Sequence, residues 1–460
     1  MTLRSKVLRG SLYLVIREGI GMLLSIVSML LITRTIGPGQ YGIFASAYGL
    51  TMFLQSFGNL GIGVYLVRRE GDIEPGLLDQ AFSLFVVLGS VVIGLSFLAA
   101  PWIESWSKLS GLAIVLQTLL IFSFPFLLLQ VPLSKLEHEL KFKQIAWVEL
   151  IGQILYILVA FPLAMKGSGA WAPTIAWCAQ QIQSFVLLMI CAKYRPRWAW
   201  NPAVIRDMLS YSLGISASGW VWSLQSLINP LIVGRFAGEA AVGYVALAIR
   251  LVDVLGFAKG ATYRISIAAL AKVQGDRDRL QRAVTEGMGL QILAVGPLLV
   301  GAAWFSPYVL PLVFGDRWNP VMEVYPFIAL CYMSNALFNL HSSVLYVLKK
   351  STAVTLFHAA YVGVFGLVAF LLVPSMHQVG YGIAGVSAIF TYIIMHLSLT
   401  RSVGSPDYRL PLIWWGGFSI ALFQSYLGWS VAIVLAVVLL IPSTRQRIQG
   451  YVASIKEVQA

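Results

Sequence analysis

Arg250 and Asp253 lie three residues apart in an otherwise apolar stretch. An ionisable group at mid-bilayer depth costs roughly 2.5 to 3.5 kcal/mol, so it should face a partner or a polar cleft. The spacing puts both on one helical face. A local ion pair would account for them. The chemical reading has Arg250 gripping phosphate oxygens bidentately while Asp253 restrains it or exchanges a proton. Arg17 and Glu18 are neighbours in another apolar run and point about 100° apart, so one can face a cleft while the other meets a neighbouring helix. Arg17 is also near enough to a span end to snorkel. Arg34 and Arg235 close two further runs, where they either snorkel into headgroups or attract an anion.

Uncharged polar pairs recur at four-residue spacing: Gln55 with Asn59, Gln225 with Asn229, and Asn335 with Asn339, the last followed by His341. Amides both donate and accept, which suits sugar hydroxyls. Hydrogen bonds between helices are the simpler use for any one pair, but a hydrophilic group crossing a membrane needs a polar path, and the set as a whole could line one. A free imidazole changes charge near physiological pH, so His341, His358 and His396 are candidates for coupling transport to protons. They fall on different apolar runs with no ligand spacing, so no metal site is expected. Cys178, Cys191 and Cys331 are scattered through apolar stretches and read as packing residues. Phosphate-cradling and dinucleotide motifs are missing from the sequence, so no nucleotide or other cofactor is expected.

The elements that must position these residues are membrane spans. Hydrophobic residues make up 58% of the 460 and charged residues 11%, against roughly 25% charged in soluble domains, and the mean hydropathy is +0.80. About 20 apolar residues cross a hydrocarbon core of about 30 Å. By that measure fourteen spans are legible, at 12–33, 42–65, 78–99, 111–132, 145–165, 171–192, 211–233, 242–263, 284–306, 321–348, 353–373, 380–400, 410–426 and 428–442. The last two are short and weakly separated, so twelve spans and a re-entrant pair is the alternative. Basic residues test the count, because cytoplasmic loops carry the Lys and Arg excess. With the N-terminus inside, 23 of the 32 fall in inside knots and 5 in outside ones, an alternation that a wrong count would scramble. Both termini are thus expected in the cytoplasm. The net charge of +13 follows from this topology and from attraction to anionic membrane lipid, with no nucleic-acid partner needed. The first run carries Arg17 and Glu18 and has no convincing cleavage site, so it reads as a retained span rather than a signal peptide.

Residues 31–50 recur without a gap as 232–251, with Arg34, Gly37, Gly42, Ala45, Ala47 and Leu50 matching Arg235, Gly238, Gly243, Ala246, Ala248 and Leu251. A repeat of six spans keeps its orientation, so the halves should be related by an axis along the membrane normal. The fold expected is an all-α membrane protein: a six-helix bundle over 1–200, a second over 201–400, and two C-terminal helices with a cytoplasmic tail over 401–460. Outside loops are short and leave no room for a catalytic domain, which argues against an enzyme.

The run from Arg34 to Phe44 through Gly37, Pro38, Tyr41 and Gly42, then Leu60, Gly61, Gly63 and Arg68, resembles the start of the Wzx-like polysaccharide-transporter branch of the multidrug/oligosaccharidyl-lipid/polysaccharide flippase superfamily. The knot Leu270 to Asp276, then Leu280, is similar to that family's central cytoplasmic loop. The resemblance covers the chain in span count, orientation and doubling. It implies translocation of a polyprenyl-diphosphate-linked oligosaccharide to the outer leaflet of a bacterial inner membrane for surface polysaccharide synthesis, with glycosyltransferases and a polysaccharide polymerase as potential partners. The family carries over no invariant site residues. A cation-coupled multidrug antiporter and a lipid II flippase are the alternatives, with a glycan polymerase or ligase behind them. Basic residues within the spans lean toward an anionic substrate.

Overall fold

The computed structural model describes residues 3–459 apart from 69, 70, 72, 257–269 and 271–275; the side chains of 3–18, 59, 214, 215 and 451–459 also lie outside the described residues. Among the described residues all regular structure is helical. Contacts divide the chain into two units, Met1–Ala246 and Leu247–Ala460, each taken by itself below.

The first unit opens with α1 (Leu3–Asn59), which is broken at Gly37, where φ is 79° and ψ 172°. Only glycine adopts that backbone without strain, and Pro38 beside it can begin a helix but not continue one. Gly238 breaks α9 (Gly234–Leu255) in the same conformation, φ 83° and ψ 177°. The doubled motif in the sequence is therefore a doubled turn. Between these lie α2 (Ile62–Val67), α3 (Pro75–Ser107), α4 (Leu112–Leu128), α5 (Gln130–His138), α6 (Phe142–Met165), α7 (Trp171–Ala192) and α8 (Pro202–Ser223). After α8 the chain runs through a 3-10 turn at Leu224–Leu227 and a π turn at Asn229–Val233 that contains Pro230. Ile62, Leu66, Phe85, Val131, Leu136 and Met208 gather α2, α3, α5 and α8 into one apolar cluster.

The second unit contains α10 (Arg277–Phe314), α11 (Val321–Val347), α12 (Ser351–Ala388), α13 (Tyr392–Val403), α14 (Arg409–Leu422), α15 (Gln424–Leu427), α16 (Val431–Leu440) and α17 (Pro442–Gln459). Asp276 caps α10 by accepting from the Arg279 N–H at 3.0 Å, the expected use of Asp at that position. Within α12, His377 takes φ 49° and ψ −129°, a second kind of break without glycine.

Nine stretches among the described residues are long and apolar enough to span a membrane. Gly19–Gly58, Ser216–Leu255 and Ser351–Val403 are each 40 residues or longer, about 60 Å or more at 1.5 Å per residue and so twice a hydrocarbon core. Each of the three contains one of the breaks above and serves two spans, which raises nine to twelve. The C-terminal pair departs from the span limits expected from the sequence. The first member is Arg409–Leu422, and the second is the ten-residue Val431–Leu440, which bends by 67° into the helix starting at Pro442. Outward faces are apolar, with Leu98 at 77% and Phe390 at 83% exposure. Water would not tolerate such a continuous coat, whereas lipid solvates it. This is a multi-pass membrane protein.

Candidate functional site

Inside the first unit, α1 runs beside α4, α8, the two irregular turns and the start of α9, and α2 runs beside α8. One end of that seam is a crossing of the two repeat turns. A Cβ on Gly42 would stand 1.9 Å from the Glu239 carbonyl oxygen, and one on Gly243 would stand 2.2 Å from the Pro38 carbonyl oxygen. Pro38 and Glu239 are themselves 201 positions apart, as are the two glycines, so the contact is reciprocal.

Below the crossing the seam turns polar. The Gln55 side chain donates through Nε2 to Ser123 Oγ at 2.9 Å, and Ser56 and Ser223 meet hydroxyl to hydroxyl at 3.3 Å. Trp220 donates its ring N–H to the Ser56 carbonyl at 2.9 Å while stacking on Phe57. Asn229 lies in the π turn and donates to the Val242 carbonyl at 3.3 Å. Gln55 Oε1, Asn229 Oδ1 and Ser46 Oγ are buried without a hydrogen-bond partner. Buried polar atoms normally find partners, so each of these is an exception that calls for a physical reason. Irregular backbone within a span belongs where it lines a cavity, and a π turn often marks a functional site.

The far end of the seam is charged. Tyr65 donates to Asp207 Oδ2 at 2.5 Å, Arg68 donates to the Tyr211 hydroxyl at 2.7 Å, and the Arg68 guanidinium lies 5.9 Å from the centre of the Tyr211 ring. A carboxylate, a guanidinium and two phenols in one cluster can bind both hydroxyls and phosphate oxygens.

Of the residues singled out in the sequence, Gln55 and Asn229 are on this seam and Gln225 is in the 3-10 turn beside it. Arg235 is elsewhere. It donates to the Trp106 carbonyl at 2.8 Å and lies over the Trp106 ring, 4.2 Å from its centre. Arg34 is exposed near the Gly37 break. Arg17, Glu18 and Asn59 belong to α1, but their side chains lie outside the described residues. Ser56, Ser123, Trp220, Tyr65, Asp207 and Tyr211 carry no spacing signal in the sequence, where Arg68 stands out only as part of the family resemblance.

The second unit holds the rest. Arg250 and Asp253 are both exposed on α9, and Asp253 lies within electrostatic reach of Tyr332, whose hydroxyl donates to the Gly256 carbonyl at 2.9 Å. Asn335 donates to the Tyr392 hydroxyl at 3.0 Å. Asn339, one turn further along α11, accepts through its carbonyl from Ser342 at 2.7 Å. His341 meets the Tyr408 hydroxyl at 2.7 Å. No group of His, Cys, Asp and Glu among the described residues has the geometry of a metal site.

Residues 31–323 match the family described as polysaccharide biosynthesis protein. The chain belongs to that family. Among its curated relatives is the lipopolysaccharide biosynthesis protein WzxC of Escherichia coli (strain K12), 24% identical over 334 residues, covering 70% of this chain and 66% of the relative. The teichuronic acid biosynthesis protein TuaB of Bacillus subtilis (strain 168) is 24% identical over 306 residues, 64% of this chain and 62% of the relative. The chain thus spans somewhat less than two thirds of the length of these curated relatives. In fold it is similar to the lipid II flippase MurJ in an inward closed conformation, with a TM-score of 0.74 at 15% identity over 96% of this chain and 99% of that one. The all-helical membrane fold expected from the sequence is the fold of this chain.

Proposed function

We propose that this protein translocates a polyprenyl-diphosphate-linked oligosaccharide from the cytoplasmic to the outer leaflet of a bacterial inner membrane, supplying a surface polysaccharide such as an O-antigen or exopolysaccharide. The observation that carries the reading is the polar seam of the first unit. Gln55 and Asn229 hold unpartnered buried oxygens there, and Arg68, Asp207, Tyr65 and Tyr211 close one end. A glycan headgroup needs such a path of hydroxyl-binding amides, and a diphosphate needs a guanidinium, while the polyprenyl tail can stay in lipid against the apolar exterior. Movement would follow alternating access between the repeats at 1–200 and 201–400. Arg250 serves the diphosphate and Asp253 restrains it, and Arg34 adds positive charge at the outer side. Asn335 and Asn339 contribute further hydroxyl-binding groups, and Arg17 and Glu18 are assigned to the cleft on sequence grounds alone. Both termini face the cytoplasm, where glycosyltransferases make the substrate, and the polymerase takes the product outside. No step of this work requires covalent catalysis.

The test is the glycan profile of a strain lacking the protein. Missing surface polysaccharide, with its lipid-linked repeat unit held on the cytoplasmic face, is the expected result. Unchanged glycans with altered resistance to toxic cations would replace this reading with drug antiport. Arrest of cell-wall synthesis would point to lipid II instead.

A further inference from the structure

The turn between α14 and α16 rests on the ends of two other helices of the second unit. Tyr426 of α15 donates its hydroxyl to the Glu323 carbonyl, in the first turn of α11, at 2.8 Å. Glu323 Oε2 in turn accepts from Gln378 Nε2 of α12 at 2.7 Å. Phe327, one turn further along α11, meets Phe423 with ring centres 4.9 Å apart and Tyr426 at 5.9 Å, both edge to face. Gly382 of α12 makes room for it, since a Cβ there would stand 2.7 Å from Phe327 Cβ. Three elements thus bring a carboxylate, an amide and a phenol ring to one place.

A tyrosine in a membrane-surface belt keeps its polar tip in water. Tyr426 does the reverse. Its hydroxyl is spent inward on main chain, and the ring, 51% exposed, is fixed in orientation by Phe327. What it offers outward is ring surface. Beside it, Glu323 is exposed and has no ion pair among the described residues, and its Oε1 and the Gln378 Oε1 accept no hydrogen bond there. Gln378 follows directly on His377, whose φ of 49° and ψ of −129° is a backbone that a residue other than glycine adopts only at a cost. Such strain persists where the surroundings over-determine it, and it clusters at ligand clamps.

Open acceptors beside a fixed ring face suit a ligand that carries several O–H donors on its edge and C–H groups on its flat side, which is the form of a pyranose. The Glu323 charge repels phosphate, so neither a diphosphate nor an anionic lipid headgroup fits. Phosphate chemistry stays with Arg68 in the first unit, and the acid in the second unit selects a neutral sugar.

We propose that Glu323, Gln378 and Tyr426 form a sugar-binding site at this end of the second unit, taking a neutral pyranose of the carried glycan on the outer side; the glycan and the side rest on the translocation reading above, the affinity for sugar on this geometry alone.

The test is saturation-transfer NMR on the full-length protein in phosphatidylglycerol nanodiscs, with the methyl glycosides of glucose, galactose, N-acetylglucosamine and N-acetylgalactosamine as probes. At least one probe is expected to receive saturation, strongest at the C–H protons of one ring face when the aromatic resonances are irradiated. The signal should fall at least fivefold in Tyr426→Ala and in Glu323→Ala. Should those variants not fold, Gln378→Leu, which keeps the shape of the amide, should show the same loss. No transfer to any probe in the wild type overturns the site, and so does a signal that the variants leave equal. Lost surface glycan in a strain lacking the protein, together with either of those results, would keep translocation and remove the site. A wild-type signal lost in the variants, with unchanged glycans in that strain, would keep the sugar site and defeat the flippase reading.

Discussion

Gly42 and Gly243 stand on opposite sides of one crossing, each with its Cα against the backbone carbonyl of the residue four before its partner. No side chain fits at either place. The two turns meet through a local two-fold relationship, and the glycines are what permit it.

Gly42→Ala or Gly243→Ala is therefore expected to force the turns apart, at about 1–3 kcal/mol or more for overpacking against fixed backbone. Thermal unfolding in detergent should show both variants clearly destabilised. Gly49→Ala is the control, since its Cβ would meet only the Ser226 carbonyl at 3.9 Å; it should be neutral or mildly stabilising through better helix propensity. Comparable losses in all three would mean that the crossing is not the cause.

In the seam, Gln55→Leu gives up a hydrogen bond to Ser123 worth about 0.5–1.5 kcal/mol but also removes an unpartnered buried oxygen. Stability should change little. Glycan export should fall at least tenfold if the amide touches a passing headgroup, and normal export from a stable variant would make the seam mere packing.

Arg235 and Arg250 should separate cleanly. Removing the Arg235 ring contact and hydrogen bond on Trp106 should cost about 1–2 kcal/mol of stability with export largely kept. Arg250→Ala should abolish export with normal amounts of protein in the membrane. Export by the Arg250 variant at the wild-type level would remove that residue from the site.

On α3, Asp79 Oδ1 accepts from the Tyr194 hydroxyl at 2.8 Å and from the Arg197 N–H at 3.1 Å, both in the segment between α7 and α8. The Ala199 N–H reaches Ser83 Oγ at 3.0 Å and the Asn201 N–H reaches Gln80 Oε1 at 2.6 Å. Burial first, and Asp79 second, push the Tyr194 hydroxyl far above the usual phenol value, so it remains a donor at any physiological pH. Asp79→Ala should release this strap. Limited trypsin digestion is expected to cut after Arg197 several times faster in the variant, Arg195 being shielded by Pro196. Unchanged cleavage would show that the remaining bonds suffice.

The doubled turn was legible in the sequence because Gly37, Pro38 and their counterpart Gly238 dictate backbone, and backbone is local. Span positions were legible because hydropathy is local too, until the stretch after Gly428, where the ten-residue Val431–Leu440 bends at Ile441 instead of running through. Partners were another matter. Arg34 and Arg235 matched in the alignment, but only the fold brings Trp106, 129 positions away, under Arg235. His341 and His396 could be noticed singly, yet Tyr408 between them gave no sign, since what joins them is the rotation of two helices about their axes. Gln55 and Asn229 were picked out as amides in apolar runs. That their oxygens lack partners is a property of the packed seam.

The strap has a consequence for how the chain is made. Tyr194 and Asn201 lie 115 and 121 positions after the residues they bind, and all of those partners precede the second repeat. Since a growing chain folds from its N-terminus, the clasp can close on α3 while nearly all of the second repeat is still to be made. The first bundle can then be tied off as a unit of its own while the later helices are still being made.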